Sequence, residues 1–257
     1  MTNHHRQGSR SAEPFPKEKL DELENLALKM LVSNKGSEPT LGIFILLSLE
    51  TGLRIGDLQR LTIGDFKPLS EKKAISAYAY HLPKFFEQKT GKESNATIST
   101  ELFEFLCSFL NKRHKNGIPK SYPFMYSKRT HTSMLKRGAV NDAELFGWNE
   151  VVPSGEKEKL KHHSPLVTHN RSWVKNRMEA AAKKLGIEGE ILSAHSLRKA
   201  ASTYLIRQAH KSGNDMTISD LQELYNHSSP RITEGYLANN KKERGAEHLA
   251  KLRFGVR

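Results

Sequence analysis

The sequence has a single cysteine and no long hydrophobic run. Cys107 alone cannot form an intrachain disulfide, which fits a protein of the reducing cytosol. The most apolar stretch, "LGIFILLSL" at residues 41–49, is far shorter than the roughly 20 residues that a membrane-spanning helix needs. The first residues, "MTNHHRQGSRSAEPF", lack the apolar core of a signal peptide. We therefore expect a cytoplasmic protein.

Acidic residues are also scarce relative to basic ones. The 257 residues include 28 Asp and Glu against 41 Lys and Arg, which gives a formal net charge of +13. Such an excess is typical of proteins that bind a polyanion. Because the chain has no apolar anchor for a membrane, nucleic acid is the favoured partner. The length fits one main domain with appendages.

Hydrophobic periodicity predicts a main domain over residues 16–240, between a polar, basic N-terminal arm (1–15) and a C-terminal helical tail (241–257). The first helix should bury the face formed by Leu20, Leu23, Ala27 and Leu31. Further helices are predicted over about 41–51, 102–110, 168–185, 196–211, 220–226, 230–238 and 244–252, with a short helix carrying Arg54 and Asp57 after the break at Gly52.

Strand character is confined to residues 74–80 and 85–99. Within 85–99, a Gly-containing turn separates two predicted strands. The expected fold class is therefore mainly α with a small antiparallel β-sheet (α+β). Residues 126–166 show little periodicity and are predicted to form a mobile loop. Thr168 is the predicted N-cap of the helix that follows that loop.

Four short strings carry side chains that suit phosphate chemistry. They are "TGLRIGDLQRL" (51–61, with Arg54 and Asp57), "EQKTGKE" (87–93, with Lys89 and Lys92), "SAHSLRKAASTYL" (193–205, with His195 and Arg198) and "HSSPRITEGYL" (227–237, with His227 and Tyr236). Taken singly, each has an ordinary explanation as a surface ion pair, solvated lysines or packing residues on a helix. Together, on a basic chain, they predict a phosphate-binding site.

The chemistry of these side chains suits phosphoryl transfer without a metal. A guanidinium binds two phosphate oxygens at once, so Arg54 and Arg198 could neutralise a pentacoordinate transition state. A tyrosine such as Tyr236 supplies an oxygen nucleophile, although its pKa of about 10 means that a neighbouring base must assist. A lysine can protonate the leaving oxygen. We therefore expect neither a cofactor nor a metal ion.

The order and local sequence of these four strings resemble those of the tyrosine recombinase family, the phage-integrase-type site-specific recombinases, over about residues 40–238. The resemblance implies a recombinase catalytic-domain fold and DNA cleavage through a 3′-phosphotyrosyl intermediate. It implies that Arg54 and Arg198 clamp the scissile phosphate and that Lys89 is the general acid. It also implies that His195 and His227 complete the site, that Tyr236 is the nucleophile, and that Asp57 supports Arg54.

Partners follow partly from composition and partly from the resemblance. Double-stranded DNA is the expected substrate, and four basic residues are candidates for contacts to its backbone: Lys92, Arg171, Lys175 and Lys199. In similar recombinases the last helix docks on a neighbouring protomer, which implies a homotetramer on two DNA sites. Without DNA, the alternative is a monomer whose tail folds back on its own domain.

The sequence departs from the family pattern at three points. Tyr225 and Asn226 precede His227 where members often have Leu-Gly, but this removes no catalytic group. The segment between Lys89 and His195 is long. Only about 40 residues precede the match, where members usually have a separate helical DNA-clamping domain, so the chain is either a catalytic fragment or a compact member.

Three other functions compete with recombination and integration. A type IB topoisomerase would use the same chemistry to relax supercoils, and a DNA-binding regulator would keep the fold without catalysis. A metalloenzyme could use the histidines of "KHHSPLVTH", which are His162, His163 and His169. Their spacing matches no compact ligand set with acidic or cysteine partners, so the metalloenzyme is the weakest of the three alternative hypotheses.

Overall fold

A computed structural model of the chain describes residues 15–33, 35–66, 79–82, 85–87, 93–94, 96–115, 117–137, 141, 145–146, 149–154, 157–162, 165–187, 193–211, 213 and 216–225. Residues 1–14 of the predicted N-terminal arm, the helices over 230–238 and 244–252 and the tail therefore lie outside the described residues, whereas Phe15, the last residue of that arm, is buried in the core. The division into an arm, a main domain and a tail stays a prediction.

The described residues are mostly helical. The helices are α1 (Leu20–Leu31), α2 (Glu38–Thr51), α3 (Ile55–Leu58), α4 (Thr100–Lys115), α5 (Lys128–Arg137), α6 (Arg171–Lys184), α7 (Ala194–Lys211) and α8 (Ile218–Leu224), with 3-10 turns at Lys17–Lys19 and Ile63–Asp65. None of the helices in these ranges has both the length and the apolar character needed to cross a membrane.

Short strands form three antiparallel pairs. The strands are β1 (Ala79–His81), β2 (Phe85–Phe86), β3 (Glu93–Ser94), β4 (Thr97–Ser99), β5 (Asn149–Ser154) and β6 (Lys157–His162). They pair as β1 with β4, β2 with β3, and β5 with β6. The expected fold class, mainly α with a small antiparallel β component, is confirmed.

Helix α2 is the centre of the core. Its apolar sequence leaves almost every residue buried, as expected for a helix that is hydrophobic all round, and it packs against both α1 and α7. The approach of α1 is so close that a Cβ on Gly42 would lie 2.6 Å from the carbonyl oxygen of Ala27. The predicted apolar face of α1 is buried as expected.

The strand region after α3 is attached directly to α2. Glu50, in the last turns of α2, accepts hydrogen bonds from the backbone N–H and the hydroxyl of Ser99 in β4, at 2.7 and 2.8 Å. Strand β2 then pairs with β3, with Phe86 opposite Glu93. The predicted strands at 85–99 are confirmed in their described parts, and the residues between Glu87 and Glu93 lie outside the described ranges.

The prediction of a mobile loop over 126–166 is wrong in its described parts. Residues Lys128–Arg137 form α5, and β5 and β6 pair along their whole length from Asn149 opposite His162 to Ser154 opposite Lys157. The earlier strand region is consequently not the only β structure. Helix α5 buries none of its residues, and only Met134 and Leu135 among its ten residues are large and apolar, so its sequence offers no apolar stripe by which a helix is recognised.

The predicted N-cap of α6 is also wrong. Asn170 caps this helix, and its side-chain oxygen accepts a hydrogen bond from the backbone N–H of Trp173 at 2.9 Å. Thr168 is buried, and its hydroxyl donates to the carbonyl of Pro165 at 2.9 Å. Both residue types favour N-caps, so the sequence alone could not distinguish two positions so close together.

Candidate active site

The end of α2 positions the first predicted arginine. Gly52 adopts φ +59°, a left-handed conformation that glycine enters without steric cost, and it terminates the helix. The buried Leu53 follows, and Arg54 then precedes the first turn of α3 in an extended conformation. The chain reversal at Gly52 therefore turns Arg54 away from the apolar core that α2 occupies.

The second predicted arginine reaches the same place from α7. Arg198 is only 4% exposed, and its Nη1 donates a hydrogen bond to the carbonyl oxygen of Gly52. Its guanidinium carbon also lies 6.0 Å from the centre of the Tyr225 ring. An arginine keeps its charge in proteins, so this contact fixes a positive charge at the C-terminal end of α2.

Gly52 is in contact with Tyr225 as well as with Arg198. A Cβ built on Gly52 would overlap the ring of Tyr225, which is itself 5% exposed. Tyr225 is the C-cap residue directly after α8, and it precedes the predicted site residue His227 by two positions. Gly52 therefore contacts both Arg198 and Tyr225 at the C-terminal end of α2.

Replacing Gly52 with alanine is expected to destabilise the protein markedly. The left-handed conformation alone costs a non-glycine residue about 1–2 kcal/mol, and the displaced Tyr225 ring adds to this. The matched control is Gly186→Ala, since Gly186 follows α6 at φ +71° with nothing within 4 Å of its Cβ position. Chemical denaturation measures both. Equal losses of unfolding free energy in the two variants would contradict the contact with Tyr225.

Arg54 is held by a carboxylate that was not among the predicted site residues. Its Nη1 lies 2.7 Å from Oε2 of Glu87, and their side chains are 27% and 4% exposed. Glu87 directly follows β2 and precedes Lys89 by two residues. The only sequence signal was its position beside the "KTGK" turn.

The predicted support for Arg54, Asp57, is buried in the first turn of α3. Its Oδ1 lies 3.5 Å from Nη2 of Arg60, at i, i+3. The carboxylate that is ion-paired with Arg54 is instead that of Glu87. The supporting role of Asp57 stays a prediction.

Four of the predicted residues meet at one cavity of about 300 Å³. It is lined by Arg54, Ile55, Arg171, Ala194, His195 and Arg198. His195 is exposed, and its backbone N–H donates to the hydroxyl of Ser193 at 3.2 Å, which helps start α7. The cavity therefore combines three guanidinium groups with an accessible imidazole.

The other predicted catalytic and DNA-binding residues are of two kinds: some are described but do not line the cavity, and the rest are not among the described residues. Lys175 is exposed on α6, and its Nζ lies 3.7 Å from Oε1 of Glu179. Lys199 is half-buried on α7. Neither belongs to the described residues that line the cavity. Lys89, Lys92, His227 and Tyr236 lie outside the described residues.

His169, which directly precedes Asn170 and α6, has a structural setting. The ring of His169 stacks on that of Trp173 at 3.9 Å, and its backbone carbonyl accepts a hydrogen bond from Gln59. Burial and the nearby charges of Arg113 and Arg177 lower the pKa of His169 to about 4. Within the described ranges, no three His, Cys, Asp or Glu side chains are grouped as metal ligands would be.

Solved structures of XerH site-specific recombinase are similar to this chain. In a post-cleavage complex bound to palindromic difH substrate, XerH is 17% identical with a TM-score of 0.56, over 94% of this chain and 53% of that one. In a pre-cleavage complex bound to difH substrate, the identity is 14% and the TM-score 0.54, over 87% and 49%. This chain spans about half the length of those XerH chains.

These similarities establish the fold as that of a tyrosine recombinase catalytic domain. The family model described as "Phage integrase family" matches residues 19–243, which is most of the sequence. The chain therefore belongs to the phage integrase family, and the resemblance found from the four motifs is confirmed. No curated protein sequence matches it.

Proposed function

We propose that the chain is the catalytic part of a site-specific DNA recombinase or integrase. The observation that carries this proposal is the cavity at which Arg54, His195 and Arg198 meet, in a member of the phage integrase family. The net charge of +13 supports a DNA substrate. XerH, whose fold is similar, was solved in complexes with its own DNA substrates.

In the proposed reaction the Tyr236 hydroxyl gives its proton to a neighbouring histidine, His195 or His227, as its oxygen attacks the scissile phosphorus and the P–O5′ bond breaks. The leaving 5′ oxygen takes a proton from Lys89, and the 3′ phosphate stays bonded to tyrosine. Rejoining is the reverse step, in which the 5′ hydroxyl of another strand attacks the phosphotyrosine. No net hydrolysis occurs, so the energy of the phosphodiester bond is retained.

The described cavity supplies the electrostatic part of this reaction. Arg54 and Arg198 are both fixed before substrate binds, one by the Glu87 carboxylate and one by the Gly52 carbonyl. Donors already in place stabilise developing charge without having to reorganise, and this accounts for a large share of catalysis in such sites. His195 is proposed to bind a phosphate oxygen or to assist the nucleophile.

Chain connectivity supports the proposed roles of Lys89 and His227. Each follows by two residues a buried side chain that contacts the site: Glu87 on Arg54, and Tyr225 on Arg198. Two residues span at most about 7 Å between Cα atoms, so the spacing along the chain is compatible with both proposed roles.

The test is covalent capture of DNA. The protein is incubated with nicked suicide duplexes whose sequence is randomised around the nick, and adducts that resist denaturant are recovered and sequenced. We expect a tyrosine-linked adduct that also forms in EDTA, because Arg54, Arg198 and Lys89 supply the positive charge a metal would provide. No adduct would favour an inactive regulator, and loss in EDTA with recovery in Mg²⁺ would contradict the proposed site.

The assembly and location are further parts of the proposal. We place the protein in the cytoplasm, at the nucleoid of a prokaryotic host or encoded by a phage or other mobile element. On two DNA sites we expect a homotetramer in which the tail from Lys241 onward docks on a neighbouring protomer. The mass of the captured complex gives the number of protomers, and a two-site strand-exchange assay beside a supercoil-relaxation assay distinguishes recombinase from topoisomerase.

A further inference from the structure

Helix α5 is one of two long helices in the described part of the chain whose charged residues are all basic. Among the helices of eight residues or more in the described part of the chain, α5 and α7 are the two without an acidic residue. Helix α7 carries the candidate active-site residues His195 and Arg198. Helix α5 carries four basic residues, which we call the α5 surface: Lys128, Arg129, Lys136 and Arg137.

The four side chains of the α5 surface are exposed, and the ion pairs of the described residues include none of them. Basic side chains on other helices form ion pairs, for example Lys184 with Glu38 and Lys211 with Asp21. No acidic side chain among the described residues pairs with the α5 surface. Since α5 also buries none of its residues, neither core packing nor ion pairing accounts for these charges.

A second cavity of about 320 Å³ lies at the N-terminus of α5. Its lining includes Thr40, Arg113, Tyr126, Ser127, Lys128 and His169. Arg113 donates to the carbonyl of Phe124 at 2.7 Å, which holds the segment that leads into α5. The same guanidinium helps to keep His169 uncharged. Positive charge therefore comes from Arg113 on one side of this cavity and from Lys128 on another.

The second cavity is next to the candidate active site. Tyr126 forms an antiparallel bridge with Thr168, and the N–H of Ser127 donates to the carbonyl of Val167 at 2.8 Å. Helices α5 and α6 begin directly after these paired segments. His169 lines the second cavity and Arg171 lines the first, and their Cα atoms are at most about 7 Å apart.

We propose that the α5 surface binds the sugar-phosphate backbone of the DNA duplex whose scissile phosphate enters the Arg54–His195–Arg198 cavity. This rests on the proposed function. A ten-residue helix is about 15 Å long, which matches the axial rise of about four nucleotides of one strand. The α5 surface thereby extends the positive charge of Arg171 along the duplex, and its contacts are to phosphates and carry no base specificity.

The experiment measures duplex affinity against salt concentration. The probe is a labelled duplex of mixed sequence, and the variants are Lys128→Gln/Arg129→Gln and Lys136→Gln/Arg137→Gln. Glutamine keeps the helix propensity of the exposed positions, so folding is preserved. Each phosphate contact contributes about 0.9 to the slope of log Kobs against log salt, so each double variant should lower the slope by about 1 to 2.

The control removes two basic residues that are far from the candidate active site along α7. Lys19 and Lys211 lie near the C-terminus of α7, about 24 Å along that helix from His195, and both pair with exposed carboxylates. Lys19→Gln/Lys211→Gln should leave the slope unchanged. The proposal is overturned if the α5 variants keep the slope of the parent chain, or if the control lowers it equally.

The outcomes also separate this proposal from the proposed function. A steep slope for the parent chain that the α5 variants do not change would remove the α5 surface from the DNA interface and leave it to a different partner, such as an acidic protein. Weak binding by the parent chain with no salt dependence would overturn the DNA function itself. A reduced slope in both α5 variants supports both.

Discussion

Replacing Tyr236 with phenylalanine is expected to abolish the covalent protein–DNA adduct and to leave DNA affinity nearly unchanged. The substitution removes the attacking oxygen and retains the aromatic ring, so no phosphotyrosyl bond can form. Phosphate contacts from the basic residues, which dominate affinity, remain in place. Adduct formation on a nicked duplex and equilibrium binding to the intact duplex measure the two effects separately.

The matched control is Tyr122→Phe. Tyr122 is half-buried, its ring centre lies 4.8 Å from that of Tyr126, and it is not among the described residues that line the Arg54–Arg198 cavity. Tyr204 is a poor nucleophile, since its hydroxyl donates to Glu24 at 2.8 Å, and burial together with Glu24 raises its pKa far above the usual range. An adduct that survives Tyr236→Phe but not Tyr122→Phe would assign the nucleophile to Tyr122 and contradict the prediction.

Replacing Arg198 with lysine is expected to slow DNA cleavage by about 10²–10³-fold, the usual effect of losing a fixed transition-state donor. The guanidinium can donate to the Gly52 carbonyl through Nη1 and still present its other edge to the cavity. A lysine ammonium is a compact point charge without this planar fork, so it cannot serve both partners with the same geometry. Single-turnover cleavage of a suicide duplex measures the rate.

Arg207→Lys is the control on the same helix. Arg207 also donates to a backbone carbonyl, that of Lys17, and lies 2.8 Å from Asp21, but it is more than two helical turns from the cavity. Like Arg198→Lys, this variant removes a hydrogen bond from a guanidinium to a backbone carbonyl. Unlike Arg198, however, Arg207 has no proposed contact with phosphate. If both variants cleave at similar rates, Arg198 has a structural role and does not act on the scissile phosphate.

The fold and the family could be predicted from the sequence because both depend on local patterns. The buried face of α1, the helix break at Gly52 and the His195–Arg198 spacing are each contained in one short string, and the structure agrees with all three. Helix α5 could not be predicted in this way, since its ten residues include only two large apolar ones, Met134 and Leu135, which are too few to form an apolar periodicity.

The residues that hold the two arginines were harder to predict. Glu87 is 33 positions from Arg54, and Gly52 is 146 positions from Arg198. Contacts at such separations depend on how the β2–β3 pair and α7 are placed against α2, which no spacing rule provides. Asp57 was the obvious neighbour of Arg54 in sequence, yet a carboxylate from the strand region forms the ion pair.

The bond between Arg198 and the carbonyl of Gly52 has a consequence for how the site responds to mutation. Every residue type supplies a backbone carbonyl, so alanine scanning along α2 leaves this acceptor present at each position. A scan of side chains would therefore not identify the group that anchors Arg198. Backbone chemistry would reveal it: an ester in place of the amide between Gly52 and Leu53 weakens the carbonyl as an acceptor while every side chain stays the same.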